Sequence, residues 1–308
     1  MKKILHLLKS YWKADFQIYY YLSVAAFLTL VITTNYLLSL EQNIDNHHGQ
    51  PIKILYYLIL YTVIYGGTCV ITFCFNEMPR GKELRRFIWI ALFGLVILSI
   101  HAGFPYTMRI VQLLKFSTNY YVWLYHITNY LLGLLKVLIP LLVFSFWVLD
   151  NKQERLGLNA NHLELRPYFW LLLLVLPLVI TASFETGFKN YYPVVLRHAP
   201  YNPTSPMWLY VCIYELCYAL DFVNVELLFR GFFVIGLSQV LGKNAILPMA
   251  ALYCSFHFGK PLGEAVSSIF GGYILGAIAF YSRNIWGGIM VHIGLALMME
   301  MVAYFQKL

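Results

Sequence analysis

The stretch that decides the fold is Gln17–Leu40, QIYYYLSVAAFLTLVITTNYLLSL, which runs without a single charged side chain. A helix needs about 20 apolar residues to cross the roughly 30 Å hydrocarbon core of a bilayer, and this run is long enough. It is also longer than the apolar core of a signal peptide, which has about 7 to 15 residues. We therefore expect Gln17–Leu40 to be a retained first membrane span.

The rest of the chain has the composition of a membrane protein. Apolar residues make up 60% of the 308 positions and charged residues 12%, whereas a soluble domain is about one quarter charged. The predicted fold class is all-α, a polytopic transmembrane helical bundle. The length of the apolar runs predicts nine spans, at about 17–40, 54–75, 87–104, 119–149, 167–184, 207–229, 245–258, 264–282 and 285–304.

The formal net charge of +8 is explained by membrane topology. The basic residues are scattered among short loops and form no stripe with aromatic residues, so nucleic acid is excluded as a partner. With the N-terminus inside, the cytoplasmic loops hold 14 lysines and arginines, and the opposite side holds seven. We expect an integral protein of the lipid bilayer with a cytoplasmic N-terminus, and the compact loops favour a bacterial cytoplasmic membrane.

Ionisable residues concentrate in the last third of the chain, after a proline-rich loop at 186–206. A charged side chain at the bilayer centre costs at least about 2.5 kcal/mol, so such residues predict function. Those in or beside the last four apolar runs are Glu215, Asp221, Glu226, Arg230, His257, Glu264, His292 and Glu300.

Four of these residues form the candidate site. Glu226 and Arg230 are four residues apart on one helical face, where they can pair either as a structural ion pair or as a general base with its counterion. A lone intramembrane histidine usually packs, but His257 and His292 beside a carboxylate can activate water and stabilise an oxyanion. Glu300 either joins them or lies at the membrane interface.

Three motifs resemble the CAAX prenyl protease and bacteriocin-processing (CPBP) family of intramembrane endopeptidases. The first is Val225-Glu226-Leu227-Leu228-Phe229-Arg230-Gly231, the second runs from Tyr253 to His257, and the third runs from His292 to Ala296. The intervals of 27 residues from Arg230 to His257 and 35 residues from His257 to His292 also fit the family.

The resemblance implies catalytic roles for Glu226, His257 and His292, with Arg230 in support. It also implies a division into N-terminal transmembrane helices, 1–205, and a CPBP-like protease core, 206–308. The sequence departs from the family at Val225, where the family has its main water-activating glutamate, and at Ala296, where it has Asn or Asp. Tyr253 in place of Phe is a mild change.

The sequence leaves three functions open. The first is an endopeptidase that cuts a membrane-delivered peptide or protein: Glu226 and His257 activate water, and His292 polarises the carbonyl. It requires no metal, although one glutamate and two histidines could also bind zinc. The second is a catalytically degenerate membrane immunity or partner-binding protein. The third is a proton-coupled transporter with a relay through Lys136, Glu226 and the histidines.

Overall fold

The computed structural model describes residues 2–148, 155–160, 163–201 and 203–307, and these form helices without any strand, which confirms the all-α prediction. The α-helices are α1 (Lys2–Asp15), α2 (Ile18–Leu38), α3 (Leu40–Asp45), α4 (Ile52–Phe75), α5 (Gly81–Gly103), α6 (Thr107–Leu113), α7 (Tyr121–Gly133), α8 (Ile139–Val148), α9 (Arg166–Ala182), α10 (Thr186–Tyr191), α11 (Val194–His198), α12 (Met207–Glu226), α13 (Ser238–Leu241), α14 (Ile246–Ser255), α15 (Leu262–Ser282) and α16 (Trp286–Lys307). Two π-helical segments, Leu134–Leu138 and Leu227–Gly236, follow α7 and α12 directly.

Six helical stretches of the described chain are long and apolar enough to cross a membrane, so the predicted count of nine spans is not confirmed. A seventh is obtained if the bent pair Arg166–Ala182 and Thr186–His198, which meet at 93°, counts as one span. The six are Ile18–Leu38, Ile52–Phe75, Gly81–Gly103, Thr118–Trp147, Leu262–Ser282 and Trp286–Lys307.

Two of the predicted spans differ from the others for physical reasons. α14 has only 10 residues, and a helix of that length extends over about 15 Å, half of the hydrocarbon thickness. α12 has 20 residues but carries Glu215, Asp221 and Glu226. Every residue of α14 is buried, so its apolar run packs among other helices, whereas α12 keeps exposed apolar side chains such as Trp208 and Leu216.

The centre of the structure is the π-helical segment Leu227–Gly236, all of whose residues are buried. It packs against α5, α14 and α15, so helices from both halves of the sequence surround it. At Gly94 of α5 an added Cβ would lie 2.6 Å from Cε1 of Phe232 and 2.7 Å from Cζ of Phe233. The predicted N-terminal helices and protease core therefore share one hydrophobic core.

Close helix contacts also fix α14, which leads to His257. Gly272 of α15 faces α14 so closely that an added Cβ would lie 3.3 Å from the Cα atom of Ala250. One turn later, a Cβ at Gly276 would lie 2.6 Å from Cε of Met249. Small residues allow helix backbones to approach within a membrane, and here they set the position of the turn that follows α14.

Gly103→Ala is expected to destabilise the bundle by about 1–3 kcal/mol, because a Cβ at this position would lie 2.9 Å from backbone atoms of Ile54 and would push α4 and α5 apart. Thermal unfolding in detergent micelles measures the change. The matched control is Gly271→Ala, another helical glycine, where an added Cβ meets nothing within 4 Å. Equal melting temperatures for the two variants would contradict the packing argument.

Candidate active site

Glu226 is the last residue of α12, and Arg230 lies in the π-helical segment that continues it. A π-helical segment widens the helix by one residue per turn and is frequently found at functional sites. Glu226 Oε1 lies 2.8 Å from Arg230 Nη1, and both residues have no solvent exposure. The two charges pair as the sequence predicted. Because both are buried, loss of either one would leave the other as an uncompensated charge.

His292, on α16, contacts the same carboxylate. Its Nδ1 lies 3.1 Å from Glu226 Oε1, and its Nε2 lies 3.0 Å from the hydroxyl of Tyr253. Because an ionised carboxylate only accepts hydrogen bonds, Nδ1 carries the proton and Nε2 accepts one from Tyr253. The ring also packs on Phe222, with the centroids 4.3 Å apart. Both nitrogens and one face of the His292 ring are thus held by neighbours.

His257 lies in the turn after α14, and Pro261 then ends this turn before α15 begins. Its Nδ1 lies 2.9 Å from the carbonyl oxygen of Tyr253. A carbonyl oxygen only accepts, so Nδ1–H is the donor and Nε2 keeps a lone pair. An imidazole held in this form can accept a proton or a hydrogen bond at Nε2.

Tyr253 links these side chains. The sequence did not predict this link, because the change from Phe to Tyr was treated as mild. Its hydroxyl bonds His292 and its carbonyl accepts from His257. Its ring lies under the guanidinium of Arg230, with Cζ 4.2 Å from the ring centroid. The sequence signal that could have indicated the role of Tyr253 is its hydroxyl, one helical turn before an intramembrane histidine.

A cavity of about 340 Å³ adjoins the site. His257, His292 and Val225 line it, whereas Glu226 and Arg230 are not among its lining residues. The structure therefore brings the four predicted residues together, but only the two histidines reach the cavity. Glu226 lies one layer behind, in contact with His292.

The N-terminal half supplies part of the cavity wall, which sequence reasoning did not anticipate. His126 of α7 and His198 of α11 both line the cavity, and their rings stack with centroids 3.6 Å apart. The Nδ1 atom of His198 lies 2.8 Å from the hydroxyl of Tyr214. Nothing in the sequence spacing connects positions 126 and 198, so only the packing of α7 against α11 and α12 reveals them.

Glu300 lies outside the site and away from solvent. Its two carboxylate oxygens accept hydrogen bonds from the backbone amides of Val194, at 2.9 Å, and Val195, at 3.2 Å. These are the first amides of α11, and a carboxylate at a helix N-terminus satisfies donors that have no partner within the helix. Glu300 therefore fastens α11, with His198, to α16, and the prediction that it joins the site is wrong.

Lys136, the start of the considered proton relay, has other neighbours. It lies in the π-helical segment Leu134–Leu138 and donates to Asn129 Oδ1 at 3.0 Å. The carboxylate that interacts with it electrostatically is Asp221. A relay that runs directly from Lys136 to Glu226 has no support in these contacts.

Within the described ranges, no group of three or more His, Cys, Asp or Glu side chains is arranged to hold a metal ion. The considered zinc ligands, Glu226, His257 and His292, are therefore close neighbours without the geometry of a coordination site. The carboxylate oxygen that faces His292 is also the one that contacts Arg230.

Comparison with known proteins agrees with the motifs. Residues 208–298 match the family model described as Rce1-like, Type II CAAX prenyl endopeptidase Rce1-like. No curated protein and no solved structure matches the chain. The matched segment contains Glu226, Arg230, His257 and His292, and it begins in α12 and ends in α16. Residues 208–298 are thus similar to the type II CAAX prenyl endopeptidases of the Rce1-like kind, consistent with the resemblance to the CAAX protease and bacteriocin-processing family.

Proposed function

We propose that this protein is an intramembrane endopeptidase that hydrolyses a membrane-delivered peptide or protein, with Glu226, His257 and His292 as its active-site residues and Arg230 in support. The observation that carries the proposal is the imidazole of His257, which lines the cavity with Nδ1 bonded to a carbonyl oxygen. Its Nε2 lone pair is thereby available to a water molecule. The substrate enters from the bilayer, and no nucleic acid is involved.

The two histidines have different roles. His257 Nε2 accepts a hydrogen bond from the attacking water and directs the water oxygen at the peptide carbonyl. His292 is held between Glu226 and Tyr253, and together with the Tyr253 hydroxyl it polarises the carbonyl oxygen as negative charge develops there.

Glu226 acts through His292 and does not contact the water, because it is fully buried behind the residues that line the cavity. Arg230 is structural, since a guanidinium does not give up its proton and here anchors Glu226 against the ring of Tyr253. No metal is needed for either step.

A second candidate function is a catalytically degenerate protein that holds a peptide in the same cavity without cutting it. The observation that favours it is Val225, whose apolar side chain occupies the cavity wall where the resemblance expects a water-activating glutamate.

The proposed orientation of the protein in the membrane follows from the unequal distribution of lysines and arginines between the two sides. The N-terminus lies in the cytoplasm, and a bacterial cytoplasmic membrane is the proposed location.

His257→Ala is expected to lower cleavage of a prenylated CAAX peptide at least about 100-fold, because proton-transfer groups contribute roughly 10²–10⁴-fold. Protein reconstituted in liposomes with an internally quenched peptide gives the rate, and proteomics of cleaved membrane peptides extends the search to other substrates. The control is His48→Ala, which removes a largely exposed histidine that does not line the cavity. Wild-type protein that cuts nothing in either assay would favour the degenerate function.

Breaking the buried ion pair is expected to cost about 3–5 kcal/mol of folding free energy, because either partner alone leaves an uncompensated buried charge. Glu226→Gln and Arg230→Met should each lower the melting temperature in detergent, and the double variant should lose much less than the two losses added together. Glu77→Gln, at an exposed position, serves as the control. Strictly additive losses would show that the pair contributes no coupling.

Cleavage is expected to continue undiminished after purified protein is treated with 1,10-phenanthroline or EDTA, because Glu226 and His292 bond each other and leave His257 without a second ligand beside it in the described part of the chain. The rate with and without chelator is the measurement. Loss of cleavage that is restored by added zinc would establish a metal enzyme instead.

A further inference from the structure

Peptide hydrolysis needs a group that takes up a proton from water. Glu226 and His292 are held by their partners, and in the proposed function His257 uses its Nε2 lone pair to orient the water. We propose that Asp221 is this proton acceptor and supplies the carboxylate that Val225 does not. The assignment rests on the proposed endopeptidase function and adds a catalytic residue to it.

The helical register of α12 places Asp221 at the cavity. Tyr218, Asp221, Phe222 and Val225 all line it, and their spacing of three, one and three residues defines one helical face. Glu226 follows Val225 by one residue and so points about 100 degrees away. Among the described residues that line the cavity, Asp221 is the only aspartate or glutamate.

The distance along the helix is short enough for Asp221 to act on the same space. Four residues separate it from Val225, which corresponds to a rise of about 6 Å, or roughly one turn. A carboxylate on the same face therefore reaches the cavity without any rotation of the helix. Glu226, by contrast, would have to leave Arg230 and turn toward the cavity.

The neighbours of Asp221 suit an intramembrane carboxylate. Its Oδ1 accepts a hydrogen bond from Asn224 Nδ2 at 3.1 Å, which fixes the side chain. Its Oδ2 lies 4.0 Å from Nε2 of the buried His101, and the ammonium of Lys136 interacts with the carboxylate electrostatically. A compensating positive charge of this kind is what an acidic group needs within the bilayer.

The step balances as a hydrolysis. As the water oxygen forms its bond to the carbonyl carbon, one water proton moves to the Asp221 carboxylate, and the carbonyl electron pair moves to oxygen beside His292. When that pair returns, the carbon–nitrogen bond breaks and the leaving nitrogen takes the proton from Asp221. The products are a carboxylic acid and an amine, and Asp221 is again a carboxylate.

The test uses the full-length protein in liposomes and an internally quenched, farnesylated CAAX peptide. Asp221→Asn keeps the size of the side chain and is expected to lower kcat at least about 100-fold. Asp221→Glu, which retains a carboxylate, should keep more activity than Asp221→Asn. Rates are divided by the folded fraction from thermal melts, so that a folding defect is not counted as lost catalysis.

Two further variants separate catalysis from structure. Glu215→Gln removes another carboxylate from α12, one that does not line the cavity, and should leave the rate unchanged. Asp221→Asn combined with Val225→Glu returns a carboxylate to the same face and is expected to raise kcat at least about tenfold above Asp221→Asn alone.

The outcomes distinguish the assignment from the function on which it rests. If Asp221→Asn cleaves within about threefold of wild type, another group such as His257 accepts the proton, and the assignment is overturned while the endopeptidase function stands. If wild-type protein cleaves neither this peptide nor any membrane peptide found by proteomics, the endopeptidase function fails and the assignment fails with it.

Discussion

The buried pair of Glu226 and Arg230 is the interaction on which the rest of the site depends. Neither charge reaches solvent, so each would be costly without the other. The carboxylate oxygen that contacts Arg230 also contacts His292, and the guanidinium rests on the ring of Tyr253. Because Tyr253 in turn bonds both histidines, one ion pair fixes the orientation of side chains from three helical segments. Such over-determined geometry is what a catalytic group needs when it must remain in place inside a bilayer.

The same pair holds Glu226 behind the cavity wall. A carboxylate that stabilises the core and positions a histidine cannot also be exposed to the cavity, since adjacent residues on a helix point about 100 degrees apart. The cavity-facing register of α12 instead presents Val225 and, one turn earlier, Asp221. The face of α12 that each acid occupies therefore decides whether its carboxylate lines the cavity, as that of Asp221 does, or is buried behind it, as that of Glu226 is.

The cavity also depends on the N-terminal half of the chain. α7 and α11 contribute His126 and His198 to its wall, and Glu300 holds α11 in place by accepting hydrogen bonds from its first amides. α5 packs against the π-helical segment that carries Arg230. Helices outside the segment that matches the protease family model thus supply part of the wall of its cavity.

The sequence by itself determined that the chain is an all-helical membrane protein and that Glu226, Arg230, His257 and His292 belong together, because long uncharged runs and the spacing of intramembrane charges are local properties. It could not give the number of spans, because α14 is apolar through burial among helices and α12 combines its apolar run with Glu215, Asp221 and Glu226. Nor could it show that Tyr253 joins the site, that Glu300 caps α11, or that Asp221 rather than Glu226 faces the cavity. Those properties depend on which helix faces meet, and contacts between residues far apart in sequence are decided only when the helices pack.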